Sequence, residues 1–341
     1  SMKRVTIKDI AEHLCISIST VSRALANDMH IRKETREHIF QTAKEMGYQR
    51  NPLAACLRSG RTNCIGVVVN EMITSYASQV LQGIQSVMHL NGITTLVSNS
   101  DNDPAQERRN LQILENSLVD GIIIAHCLDS SNNDEFLRLQ QKGIPMVFID
   151  HAPSGIDTVC VGVNSYDKTF FLVDHLVHSG KRKIVHLHGP SQIDDFNEMH
   201  KAYREVLAKH RIPYDPTLVM ETQISLENGR RIAGRLLESG VDFDAVFACH
   251  DLLAIGVMNR LHDAGLRIPE DVAIAGFSGS HVSKLVYPSL TTVEPRLHDM
   301  GETAAALLLE KISHPTIESK KVVVDAEIML RGSTHPAGMA D

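Results

Sequence analysis

The sequence predicts an α/β protein, with an N-terminal all-α head carrying a helix-turn-helix and a larger body of alternating strands and helices. Three observations carry this expectation. Residues 5–26 hold two short amphipathic helical stripes, and apolar strand-like runs alternate with amphipathic stretches after residue 63. The charge is also split: residues 1–62 contain 11 Lys/Arg and 6 Asp/Glu, a net of +5, leaving 23 and 35, a net of −12, for the rest. The overall −7 therefore hides a basic head on an acidic body. Phosphate binding draws on such a local field rather than on the total charge.

In the head, Ile7, Ile10, Ala11 and Leu14 fall at i, i+3, i+4 and i+7, the buried face of a first helix. Cys15-Ile16 is the turn, and Ser17 is the N-cap of a second helix. Val21, Ala24 and Leu25 then face inward, leaving Ile18, Ser19, Ser22, Arg23 and Ala26 on the face that a recognition helix turns to the major groove. A third helix places Thr35, Ile39, Ala43 and Met46 on one side and completes a small bundle. The plainer reading is a helical hairpin with a solvated Arg23; the third helix and the charge split favour DNA binding.

Asn51 and Pro52 open a very short helix, Pro52 to Leu57, that Gly60 ends. It is far below the ~12–15 residues that hold a helix alone, so it needs a partner, such as its copy in a dimer on DNA. Leu57 is the candidate wedge into a minor-groove step, with Arg58 and Arg61 near phosphates. The competing reading is a plain linker.

In the body, strands are expected near 67–69, 94–97, 121–125, 146–149, 183–187, 245–249 and 272–277. Helices are expected at Tyr76–Asn91, Asp103–Leu118, Ser165–Ser179, Ala202–His210 and Asp251–Ala264. Residues 119–126, VDGIIIAH, echo 243–250, FDAVFACH, as two similar halves do. Ligands bind beyond the carboxyl ends of such strands, so His126 and His250 are expected on opposite walls of a cleft. The plainer account is that α/β proteins repeat such strands.

At 341 residues the chain suits roughly two or three domains. No run approaches the ~18 apolar residues of a membrane span. The first residues are polar, with no apolar signal region, and Ser1 before Met2 reads as foreign to the natural start. The expected setting is cytoplasmic. The six cysteines are scattered without a C-x-x-C pair, which points to reduced thiols, most of them buried. The 18 histidines show no H-E-x-x-H, and neither a metal nor a cofactor is expected.

The segments TIKDIAEHL, STVSRAL, KETRE…GY, NPLA and RTN-IG resemble, in order and spacing, the headpiece and hinge of the LacI/GalR family of bacterial transcription regulators. The likeness continues through DGIIIA, DAVFACHDLLAIGVM, AGLRIPEDVAIAGF and PSLTTVEP to about residue 333. It implies a periplasmic-binding-protein-like core of two doubly wound α/β subdomains, with crossings near Val161–Val163, Thr292–Glu294 and Glu318–Val322. The implied organisation is a headpiece at 1–50, a hinge at 51–62, an N-terminal subdomain at 63–161 with 293–321, a C-terminal subdomain at 162–292 with 322–333, and a tail at 334–341.

The resemblance implies a homodimeric, ligand-responsive repressor on a pseudopalindromic DNA operator. Its effector, a sugar or sugar derivative, binds the interdomain cleft. Candidate DNA-contacting residues are Thr6, Ser17, Ile18, Ser19, Thr20, Ser22, Arg23, Leu57 and Arg58. Ile18 suits a thymine methyl, Arg23 a guanine edge, and Ser17, Thr20 and Ser22 suit phosphates. Candidate effector contacts are Ser75, Tyr76, Asp150, His250, Asp251 and Ser278. Carboxylates accept paired hydroxyls and Tyr76 covers a ring face, while capping of its own helix is an equal account of Asp251.

Several positions depart from the family pattern. Met199 stands where a pocket arginine is usual, Ser278-Gly279 where an aspartate is usual, and Pro295 where a glutamine-like side chain is frequent, so recognition passes to groups such as His250, Ser278 or His281. Cys15 replaces a turn glycine and Arg32 a Ser cap. Two rivals remain: a free sugar-binding protein, which the basic head disfavours, and a sugar-modifying α/β enzyme. The chain has no G-x-x-x-x-G-K-[ST] and no strand-placed G-x-G-x-x-G, so no enzyme is expected.

Overall fold

The computed structural model describes residues 5–48, 61–316 and 318–335. The chain divides into two compact units, Ser1–Thr62 and Asn63–Asp341. The hinge candidates Leu57 and Arg58 lie outside the described residues.

The head is three helices, α1 (Ile7–Leu14), α2 (Ile18–Leu25) and α3 (Lys33–Glu45). Ile10, Ala11, Val21, Ala24, Ile39 and Ala43 form its core, the faces that periodicity selects. Thr6 and Asp9 make a reciprocal capping box that starts α1. Cys15 ends it in the left-handed region, at φ 53° and ψ 40°. Arg32 precedes α3 without capping it, and Arg36 braces the preceding loop through the carbonyls of Asp28 and Ile31 at 3.3 and 3.1 Å.

The body opens with β1 (Cys64–Val69), α4 (Ser75–Leu90), β2 (Thr94–Asn99), α5 (Pro104–Asn116), β3 (Ile122–Ile124), α6 (Asn133–Gln141), β4 (Met146–Ile149) and β5 (Val159–Gly162). It continues with α7 (Ser165–His178), β6 (Ile184–His188), α8 (Asp194–Lys209), β7 (Val219–Glu221), α9 (Leu226–Ser239), β8 (Ala245–Ala248), α10 (Asp251–Asp263) and β9 (Ala273–Ala275). It closes with β10 (Thr292–Pro295), α11 (Leu297–Ser313), β11 (Lys320–Val323) and β12 (Ala326–Met329).

Two parallel sheets result, ordered β11-β5-β4-β3-β1-β2 and β7-β6-β8-β9. The echoed strands β3 and β8 hold the same station in each, beside the first strand of their half. An antiparallel ribbon of β10 and β12 carries two passages of the chain, with Thr292 opposite Met329. β11 stays paired with β5 through Val323, so the last passage leaves the larger sheet after Val323 and not within 318–322.

Helix α8 starts at Asp194, well before the expected Ala202. Helices pack in close pairs over each sheet. A Cβ on Gly83 of α4 meets the His298 carbonyl oxygen at 2.1 Å, and one on Gly301 of α11 meets the Val80 carbonyl oxygen at 2.1 Å. The two glycines let these helices approach backbone to backbone.

Candidate functional site

The head presents the N-terminal end of α2. Ser17 caps it, accepting the Thr20 N–H at 3.1 Å, and its hydroxyl lies 2.8 Å from both Ser19 Oγ and Thr20 Oγ1. Three hydroxyls at a helix N-terminus suit a phosphate oxygen, because the unsatisfied amides carry partial positive charge there. Ile18 stands beside them, 52% exposed, an apolar side chain with no core to fill. Ser22 is half-buried, at the margin of this surface.

Arg23 is exposed but engaged: its Nε donates to Asp28 Oδ2 at 2.7 Å. The His30 backbone N–H and the Arg23 guanidinium hold the Asp28 carboxyl well below the usual carboxylate range. Thr6 spends its hydroxyl on the capping box, donating to Asp9 Oδ2 at 2.6 Å and accepting the Asp9 N–H.

The body holds a cavity of about 210 Å³ at the carboxyl ends of its strands. Ser75, Tyr76, Asp150, His250 and Ser278 all line it. Met199 and Pro295 line it too, with Phe196, Phe277 and Leu252 supplying apolar wall. Asp251 does not, which corrects the sequence expectation. It is fully buried, accepting the Ser280 N–H at 2.8 Å and the Thr292 hydroxyl at 2.6 Å. Burial pushes its carboxyl up to about 6. The helix cap is the preceding His250, whose Nδ1 accepts the Leu252 N–H at 3.2 Å. That bond puts the ring proton on Nε2, and burial lowers the imidazole pKa to about 4, so His250 is a neutral donor at pH 7.

His126 is a second correction. It is 2% exposed and outside the cavity lining, with its ring edge-on to Phe136 and Phe148 at 6.1 and 6.0 Å. Desolvation lowers its pKa to about 4, and it belongs to the core beneath β3 and β4. His281 lies exposed on a short 3₁₀ turn and does not line the cavity either.

The cavity offers polar atoms that the protein leaves unmatched. Tyr76 Oη, Ser278 Oγ and Ser280 Oγ are buried without a hydrogen-bond partner. Ser278 also holds φ 124°, a conformation costly for a residue with a Cβ. Such features are uncommon in a packed interior and mark a place built for something else. Among the described residues no Lys or Arg side chain lines the cavity. Glu71 is there, but its carboxylate is occupied by the Ile73 and Thr74 N–H groups at 2.7 and 2.8 Å.

Sequence reasoning missed a chain of charge in the cavity wall. His151, which follows Asp150 at the end of β4, lies 2.9 Å through Nδ1 from Asp195 Oδ2 in the first turn of α8, and 3.3 Å through Nε2 from Asp150 Oδ2. Lys321 of β11 reaches Asp195 Oδ1 at 2.5 Å. Burial alone lowers the His151 pKa, but the carboxylates of Asp150 and Asp195 outweigh it and raise the value. Burial likewise works against charge on Asp195, yet His151 and Lys321 hold its pKa down to about 2. The chain thus ties strands of the larger sheet to a helix over the smaller one. The adjacent Asp150-His151 pair after MVFI was visible in the sequence; Asp195, 44 residues beyond His151, and Lys321, 126 residues beyond Asp195, were not.

Comparison with known proteins places both parts. Residues 6–51 match the family described as bacterial regulatory proteins, lacI family, and residues 173–334 match a periplasmic binding protein-like domain. The ribose operon repressor of Halalkalibacterium halodurans is 27% identical over 329 residues, covering 96% of this chain and 97% of that protein. The transcriptional regulator CelR in complex with cellobiose is 26% identical, with a TM-score of 0.73 over 97% of this chain and 100% of that one. The lac repressor dimer bound to operator and an anti-inducer shares the fold, with a TM-score of 0.84 at 24% identity over 97% and 99%. With head and body matched in this order, the chain belongs to the LacI family of bacterial regulatory proteins, DNA-binding transcription repressors and not enzymes.

Proposed function

We propose that the protein is a homodimeric, effector-controlled repressor whose body cavity takes an uncharged sugar or sugar derivative. The observation that carries the ligand class is the cavity itself. It combines unpartnered hydroxyls of Tyr76, Ser278 and Ser280 and the carboxylate of Asp150 with apolar walls, and among the described residues it has no lining Lys or Arg. Hydroxyls and a carboxylate exchange hydrogen bonds with a polyol, whereas a sugar acid or phosphate would bring its charge into a low-dielectric site whose lining His151 is already paired with Asp150 and Asp195. The names of the ribose operon repressor and the cellobiose-bound regulator support a sugar.

On the DNA side Ile18 and Arg23 read base edges, Ser17, Ser19, Thr20 and Ser22 set the helix on phosphates, and Thr6 fixes the start of α1. Leu57 and Arg58 are proposed for the hinge contact from sequence alone. The exposed apolar side chains Leu96 and Val97 on the edge strand β2, with Leu90 of α4 and Ile113 of α5, support a dimer through this part of the body, since an apolar sheet edge is normally covered. A repressor acts on chromosomal DNA, which supports a cytoplasmic setting; no helix of the described residues is long and apolar enough to cross a membrane.

The test is paired. A thermal-shift screen of the full chain against neutral sugars, sugar acids and nucleosides is expected to single out a neutral sugar, with about 2.7 kcal/mol of stabilisation at a hundredfold excess over Kd. The same compound must change affinity for a symmetric site selected from random DNA. Stabilisation by anionic ligands alone sinks the ligand class. Failure to enrich any symmetric site sinks the operator reading.

A further inference from the structure

We propose that Asp174, His178 and His210 form a surface site for a divalent transition-metal ion such as zinc or nickel. Asp174 and His178 lie one turn apart on α7, and His210 closes the C-terminal end of the neighbouring α8. A ring nitrogen from each histidine and a carboxylate oxygen lie within 4.8 Å of one another. His210 Nε2 is 2.6 Å from Asp174 Oδ1, and His178 Nδ1 is 3.4 Å from Oδ2 and 2.8 Å from the Asp174 carbonyl oxygen. The two rings meet edge-to-face at 5.1 Å.

Lys209 Nζ also reaches Asp174 Oδ1, at 3.0 Å, so three basic groups crowd one carboxylate. Without a metal each of these ring nitrogens donates a proton to an Asp174 oxygen, whereas a metal ion takes the place of both protons and engages all three side chains together. Two ligands each 2.0–2.2 Å from a tetrahedral metal stand about 3.4 Å apart; His178 Nδ1 already has that spacing from Asp174 Oδ2 at 3.4 Å, and His210 Nε2, now 2.6 Å from Oδ1, has to draw back slightly. The His178 side chain is 63% exposed and turns without loss of packing, and the half-exposed Lys209 withdraws into solvent. Two imidazoles with one carboxylate favour zinc, nickel, cobalt or copper over magnesium or calcium. Three protein ligands leave a fourth position to water or to a donor from another molecule.

The discriminating measurement is zinc titration of the chelator-treated full-length protein by calorimetry. One site per chain is expected to weaken at least about tenfold in both His178→Ala and His210→Ala, the loss typical of disturbing a metal's ligand shell. Lys209→Met is expected to tighten it by removing the competing cation, which a purely ion-paired Asp174 would not produce. His298→Ala, in the exposed group of His298, Asp299 and Glu302, is expected to leave it unchanged and serves as the control. Unchanged zinc affinity in both histidine variants, no stoichiometric binding by the parent chain, or equal displacement by magnesium would each overturn the proposal. His178→Ala removes a mostly exposed ring, so loss of binding there cannot be ascribed to unfolding, and its melting curve checks this.

Discussion

Cys15 closes α1 with a positive φ that glycine adopts at no steric cost and that a side chain adopts at about 1 kcal/mol. Cys15→Gly is therefore expected to stabilise the head by roughly that amount, read as a higher first transition in calorimetry. An unchanged transition would mean that the Sγ contact to the Glu12 carbonyl, at 3.7 Å, offsets the strain. Arg23 is held by Asp28, and exchanging that partner for a base edge opposes DNA binding. Asp28→Asn keeps an acceptor for the loop and removes the charge, so it is expected to raise operator affinity severalfold in a binding isotherm; a loss would show that the pair sets the helix for reading. Residues of this kind were legible because each sits beside a strong local signal. Asp251 misled because adjacent residues at a strand end diverge. His250 caps the helix at the cavity, and Asp251, the first helical residue, turns into the core.

Among elements, those with a side-chain cap were the easier to read. Asp103, Asn164 and Ser17 accept the N–H groups that start α5, α7 and α2. Ile193, Asn132 and Arg296 make no such bond, and the helices they precede, α8, α6 and α11, were misplaced or unnamed in the sequence reading. Ser225 does cap α9, so that helix carried a signal that went unread. The glycine pair of α4 and α11 is invisible to periodicity, since glycine contributes nothing to an amphipathic stripe. Gly83→Ala or Gly301→Ala is expected to cost about 1–3 kcal/mol in body stability, measured by denaturant melts, because the methyl group meets backbone that cannot swing aside. A cost below the error of the melt would show that the two helices can spread.

At the scale of the whole body, the chain of Asp150, His151, Asp195 and Lys321 spans the two sheets and touches the cavity. The His151 pKa is raised in the fold, so its contribution is full below the ordinary imidazole value near 6.5 and fades as pH rises through the higher folded value. Asp195 works at the other end: its contribution is full above the ordinary carboxyl value of 3.8 and is lost as pH falls through about 2. Between these limits His151 and Asp195 are both charged. Body stability is thus expected to decline as pH rises above the ordinary imidazole value of 6.5, and Asp195→Asn to flatten that decline, both read by melting at graded pH. An unaltered slope above pH 6.5 in the variant would remove the latch from the account. None of this was readable in sequence, because the partners come from β4, α8 and β11 and meet only once both sheets have formed.

Asp251 holds the loop of Ser278 and Ser280 to Thr292, where the chain passes between the sheets. Asp251, itself outside the cavity, thereby fastens two cavity-lining serines to β10. In genetic terms, a selection for repressors deaf to their effector is expected to return substitutions at Asp251 alongside those at Tyr76 and Asp150. Those at Asp251 should still occupy the operator, since the lesion lies in passing the signal and not in reading DNA.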